Sequence, residues 1–146
     1  SRANSPYTFN PDINGRFKIT ALDRDDISIE ADYTQVHFTL NYPELTNGER
    51  IYVYGNYNNY ALDNYNEMLY NYDTGRYETN FKLKQGFYNY KYVVVNKDGS
   101  LDEGRISGNF WQTENNYKVL VYYRDLGARY DRIVGFNELS STNITN

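Results

Sequence analysis

Between Ile51 and Gly99 the chain is cut at short intervals by residues that cannot continue a regular element. The cuts are Gly55-Asn-Tyr-Asn-Asn-Tyr60, Asp73-Thr-Gly75, Lys84-Gln-Gly86 and Asn96-Lys-Asp-Gly99. Gly and Asn tolerate left-handed backbone angles, so strands end there in turns or irregular loops. What lies between the cuts has strand composition. Ile51-Tyr-Val-Tyr54 is β-branched and aromatic throughout, as in a buried strand. Met68–Tyr72 and Tyr77–Leu83 read as the arms of a hairpin about Asp73–Gly75. The second arm alternates with period two: Tyr77, Thr79, Phe81 and Leu83 share one face, and Glu78, Asn80 and Lys82 the other. Phe87 to Asn96 reads as the longest strand.

The rest of the chain follows the same pattern. Ser1 to Asn14, with Pro6 and Pro11, reads as an extended lead-in arm. Gly15–Ala21 is the first expected strand, with Phe17, Ile19 and Ala21 inward. Asp23–Asp26 is a charged connection. Asp32–Leu40 is the second strand, with Val36, Phe38 and Leu40 inward. Asn41 to Arg50 is a loop containing the turn pair Asn47-Gly48. Ser100 to Asn115 is irregular and ends near the only tryptophan, Trp111. Asn116–Tyr123 is a strong strand, and Ile133-Val134 a last short apolar run. Residues 137–146 read as a polar tail, with Ser140–Asn146 expected to fray. No useful length shows helical period. About seven or eight short strands punctuated by turns predict an all-β antiparallel sandwich over residues 15–136, with a closed barrel as the alternative.

Composition narrows the function classes. The chain of 146 residues is of ordinary domain size and can bury a core. It contains 18 Tyr but one Met, so rings with polar tips should build that core. There is no Cys, which removes disulfide and thiol chemistry. A net charge of −4 argues against a nucleic-acid partner, which needs a basic face. No apolar run approaches the ~20 residues of a membrane-spanning helix. No signal peptide is evident, and a start at Ser1 without Met suggests a processed protein or an excised domain.

No catalytic or metal site can be read from the residues, and no cofactor motif occurs. His37 is the only histidine and faces away from the assigned core. Without convergent partners it is a poor ligand or base. Asp23, Asp25 and Asp26 lack the Gly and the terminal Glu of a calcium loop. Asp98, Asp102 and Glu103 cluster about one turn rather than facing each other across a cleft, which suits a solvated loop. Asn143-Ile-Thr145 matches a glycosylation sequon. The sharpest feature is the aromatic loop, where Tyr57, Tyr60 and Tyr65 interleave with Asn56, Asn58, Asn59, Asn64 and Asn66. Rings stack on sugar faces and amides bond hydroxyls. The same mixture serves protein recognition, and rings equally close the end of a sandwich. A second protein-binding candidate is Arg129, Tyr130 and Arg132, after the strong strand at 116–123.

Two family resemblances follow from these residues. Gly55-Asn-Tyr-Asn-Asn-Tyr60, Phe87-Tyr-Asn-Tyr-Lys-Tyr-Val93 and Lys97-Asp-Gly99 resemble the glycogen-binding modules of AMP-activated kinase β-subunits and branching enzymes. That resemblance implies an immunoglobulin-like sandwich of the E-set type. It also implies a carbohydrate site in which Tyr60 takes the place of a sugar-stacking Trp and Lys91 that of a sugar-binding Lys. The second stacking Trp falls near Ser100-Leu101, which has no ring.

A longer set of segments resembles the plug protein family of the Bacteroidota type IX secretion system. These are Ile29–Tyr33 before Val36-His-Phe38, Tyr52–Tyr60, Lys84–Tyr92, Thr113–Arg124 and Gly127–Gly135. The resemblance is to the later part of those proteins, which carry further β-structure upstream. It implies a non-catalytic periplasmic protein, associated with the outer membrane, that binds and seals the secretion translocon. Under this reading Tyr57, Tyr60, Tyr65, Arg129, Tyr130 and Arg132 are the expected protein-binding residues.

Overall fold

A computed structural model describes residues 2–6, 13–21 and 26–141. Asp23 and Asp25 of the charged connection and the sequon at Asn143 lie outside them. The chain is all-β, with antiparallel sheets, as the sequence predicts. It forms two compact units, Ser1–Asn109 and Phe110–Asn146, so a boundary falls inside the span 15–136 that the sequence suggests is continuous. The lead-in expected over 1–14 contains a short 3-10 turn at Arg2–Asn4.

In the first unit, β1 (Phe17–Ile19) pairs with β6 (Gly86–Tyr88). The other strands are β2 (Tyr33–Leu40), β3 (Arg50–Tyr54), β4 (Glu67–Asn71), β5 (Arg76–Lys84), β7 (Lys91–Val95) and β8 (Leu101–Asp102). They form a six-stranded sheet in the order β2-β5-β4-β3-β7-β8. The expected alternation in β5 holds at its core: Tyr77 and Phe81 are buried, Thr79 and Leu83 partly so, and Asn80 and Lys82 exposed. Glu78 is only half-exposed, because its carboxylate accepts bonds from Asn71 Nδ2 at 3.0 Å and Thr74 Oγ1 at 2.7 Å. Those two bonds hold the Glu78 carboxyl below the usual range.

Strand β3 is buried on both faces. Ile51 and Val53 join Phe38, Met68, Tyr77, Phe81, Val94 and Ile106 in one core cluster, while Tyr52 joins Val93 and Val95 in a second. Burial on both faces is why Ile51–Tyr54 carries no polar alternation. The turn at Asn47-Gly48 has both residues left-handed, at φ 66° and 80°, as the pair predicts.

Three expectations need correction. Phe87–Asn96 is not one strand. It breaks at Asn89-Tyr90, so that β6 pairs with β1 while β7 enters the large sheet beside β3. Strands β5 and β10 (Arg132–Ser140) are the longest, at nine residues each. Phe17 does not point into the core but is 40% exposed, because among the described residues β1 pairs only with β6; its ring stacks on Tyr88 at 5.7 Å. Asn137–Ser140, expected to belong to a polar tail, instead pair with Val119–Asn116.

The second unit is a hairpin of β9 (Asn116–Tyr123) and β10, with a register shift between Ile133 and Gly135. Trp111 is 88% exposed.

Candidate binding site

The loop after β3 starts with a constraint on the backbone. A Cβ on Gly55 would lie 2.8 Å from the Asn89 carbonyl oxygen, so only glycine lets the chain pass the β6–β7 break this closely. A short 3-10 turn, Asn56–Asn58, follows. Asn59 and Tyr60 are then left-handed in succession, at φ 56° and 60°. Asn accepts that region readily, whereas for a bulky ring residue it is costly.

Asn66 anchors the loop from beneath. It is fully buried; its Nδ2 donates to the carbonyls of Val53 at 2.8 Å and Ala61 at 3.1 Å. Its Oδ1 accepts the Asp63 amide at 2.8 Å.

The three loop tyrosines have different roles. Tyr57 is half-buried, stacks on Phe81 at 5.5 Å between centroids and donates to the Val53 carbonyl at 2.7 Å. It belongs to the core and is not the free anchor expected of it. Burial pushes the Tyr57 hydroxyl well above its ordinary range, partly offset by the Asn66 amide. Tyr65 is 46% exposed and meets Phe81 edge-on at 5.4 Å. Tyr60 is 42% exposed, donates to the Gly15 carbonyl at 3.3 Å and lies 5.2 Å from the Tyr54 ring.

Tyr60 and Lys91, the two residues matched to a sugar site, line one cleft of about 490 Å³ with Gly15, Tyr54, Asn89, Tyr90 and Glu103. Lys91 Nζ is ion-paired with Glu103 and lies 5.9 Å from the Tyr54 ring centroid. Burial, then the Glu103 carboxylate and Tyr60, raise the Tyr54 hydroxyl above its ordinary value. Tyr90 also lines a second cleft of about 380 Å³ with Phe38, Tyr57 and Tyr88. Tyr90 thus lines both clefts.

Tyr54, Tyr90 and Glu103 were not among the expected site residues. Tyr54 could have been found by alternation, since it lies on the face of β3 opposite Val53. Tyr90 becomes available only because the strand breaks beside it. Glu103 was grouped with Asp98 and Asp102, but their roles separate. Asp98 accepts the Ser100 hydroxyl and amide, which hold its carboxyl below the usual range. Asp102 accepts the amides of Gly104 and Arg105, and Glu103 faces Lys91. Among the described residues, no group of His, Cys, Asp and Glu could hold a metal ion. His37 is exposed, as the alternation of β2 predicts.

The second candidate set lies in the hairpin unit. Tyr130 is 74% exposed and Arg129 is exposed. Arg132 pairs with Asp125 at 3.4 Å and sits 5.6 Å over the Tyr123 ring, so part of its surface is already used.

No protein-family model matches the chain, and no curated protein matches it. Among solved structures it is similar to a hypothetical protein from Parabacteroides merdae ATCC 43184, whose crystal structure is at 2.30 Å resolution. The two share 41% identity and a TM-score of 0.79 over 96% of this chain, which spans 35% of the length of that one.

Proposed function

We propose that this chain is a non-catalytic binding part of a plug-type protein of the Bacteroidota periplasm, and that its aromatic surface docks on the outer-membrane secretion translocon. The observation that carries the proposal is Tyr60. A half-exposed ring is held in a left-handed conformation that Gly would adopt without cost, and such strain concentrates where a side chain is needed for contact. Around it, Tyr54, Tyr90 and Lys91 provide the rings and the cation that anchor recognition surfaces. The segments resembling plug proteins support the choice of partner, as does the similarity to a protein from a Bacteroidota species.

Tyr60→Gly tests the proposal because it removes the ring and relieves the backbone together. The complete polypeptide carrying it should lose co-purification with the translocon while its thermal midpoint stays level or rises. Retained co-purification in Tyr60→Gly and in Tyr60→Gly/Tyr90→Ala would refute the role of this surface.

A second reading is a glycan site of the glycogen-binding type. It is favoured by one observation: Tyr60 and Lys91 share a cleft, and Tyr54 and Tyr90 bring further rings although Ser100-Leu101 has none. Titration calorimetry with maltoheptaose separates the two. Saturable heat that disappears in Tyr60→Gly would favour the glycan, and its absence would favour a protein partner.

A further inference from the structure

The hairpin of β9 and β10 carries apolar residues on both of its faces. Pairing places Tyr117, Val119, Val121, Tyr123 and Leu139 on one face and Leu120, Tyr122, Ile133 and Phe136 on the other. These residues and Val134 are each between 46% and 61% exposed. Within the two strands the charged residues are Lys118 and Glu138, paired with each other, and Arg132, paired with Asp125; the other charges of the hairpin, Arg124, Asp125, Arg129 and Asp131, lie at the turn. Among the described residues β9 and β10 pair only with each other, so each also presents an edge.

A ribbon resting on one layer would alternate apolar and polar residues. Val119-Leu-Val-Tyr-Tyr123 does not, and strands of this kind are covered on both sides. A two-stranded ribbon alone is also marginal in water.

We infer that β9 and β10 are two strands of a second β-structure, which the remainder of the polypeptide carrying this chain completes on both faces and along an edge. Two observations choose that occupant over a second copy of the chain. Two hairpins stacked as a dimer would cover one face each and leave the other bare. Furthermore, the match to the Parabacteroides protein takes in 96% of this chain, and so nearly all of the hairpin, yet only 35% of that protein. Most of that polypeptide lies outside the match and is available to supply the missing layers.

Hydrogen exchange read by mass spectrometry on the complete polypeptide tests the inference. Val121→Lys and Phe136→Lys place one charge on each face. In the unsubstituted protein the amides of 117–123 and 133–139 should exchange on the order of 100-fold more slowly than in either variant. Strands β3 and β7 should keep their protection in both variants, which separates local opening from failure to fold. Three results would overturn the inference. The hairpin amides could exchange rapidly in the unsubstituted protein. Protection could respond to only one of the two substitutions. Or equal protection could appear in the 146-residue chain alone with a dependence on its concentration, which would make a second copy the occupant.

Discussion

Replacing Asn66 tests the physical account of the aromatic loop most closely. The side chain is fully buried and makes three hydrogen bonds, two to carbonyls and one from an amide. Asn66→Ala removes all three. Buried bonds of this kind each contribute about 0.5–1.5 kcal/mol net. Two of the three groups left behind keep a partner: the Val53 carbonyl retains the Tyr57 hydroxyl, and the Ala61 carbonyl retains Asn58 Nδ2. The Asp63 amide loses its bond to the Asn66 side chain. The loss should therefore be about 2–4 kcal/mol. Asn66→Asp keeps the shape but turns a donor into an acceptor facing two carbonyls, so it should cost more than Ala at neutral pH. Burial would raise the pKa of the introduced carboxyl in the folded state above its unfolded value. The variant should therefore regain stability as pH falls towards the unfolded pKa and lose it as pH rises through the folded one. Urea unfolding followed by near-ultraviolet circular dichroism measures both effects. A loss below about 1 kcal/mol for Asn66→Ala would show that the loop is not held this way. An Asn66→Asp variant as stable as wild type at neutral pH would show the same.

Phe81 contacts the rings of Phe38, Tyr57 and Tyr65, and truncating it to Ala should cost about 3–5 kcal/mol in denaturant titrations. Less than about 1 kcal/mol would place β5 outside the core. Burial raises the hydroxyls of Tyr57 and Tyr92 well above their ordinary values, so their contribution to stability is complete below the unfolded pKa of about 10 and is lost as pH climbs past it. Thermal midpoints should be level from neutral pH up to that value and fall above it. The fall should be shallower in Tyr57→Phe, and an unchanged slope would rule out Tyr57 as a source.

The strands were legible where burial is one-sided or complete. Period two in Tyr77–Leu83 is enough to choose the core face, because a slip of one residue would exchange Phe81 for Asn80 or Lys82. The turn pairs were legible because Asn and Gly announce left-handed backbone. The break at Asn89-Tyr90 was not, since it is caused by two different pairing partners, β1 and β3, that the local residues do not encode. For the same reason the cleft was half-visible. Tyr60 and Lys91 stand out in motifs, but Tyr90 and Glu103 reach the cleft only through tertiary pairing. Tyr57 looked like Tyr60 in sequence, and its fate turns on where the 3-10 turn aims it. The strand 116–123 was visible as an apolar run, but of 132–140 only Ile133-Val134 was, because the polar residues at 137, 138 and 140 hide a strand whose pairing with 116–119 is not local.

Photo-crosslinking in intact cells tests the central claim most directly. A benzophenone side chain introduced in place of Tyr90, which lines both clefts, should form a covalent adduct with a subunit of the outer-membrane translocon, and Tyr60→Gly in the same chain should abolish it. Absence of any translocon adduct, or one that persists unchanged in Tyr60→Gly, would contradict the assignment of this aromatic surface to partner binding.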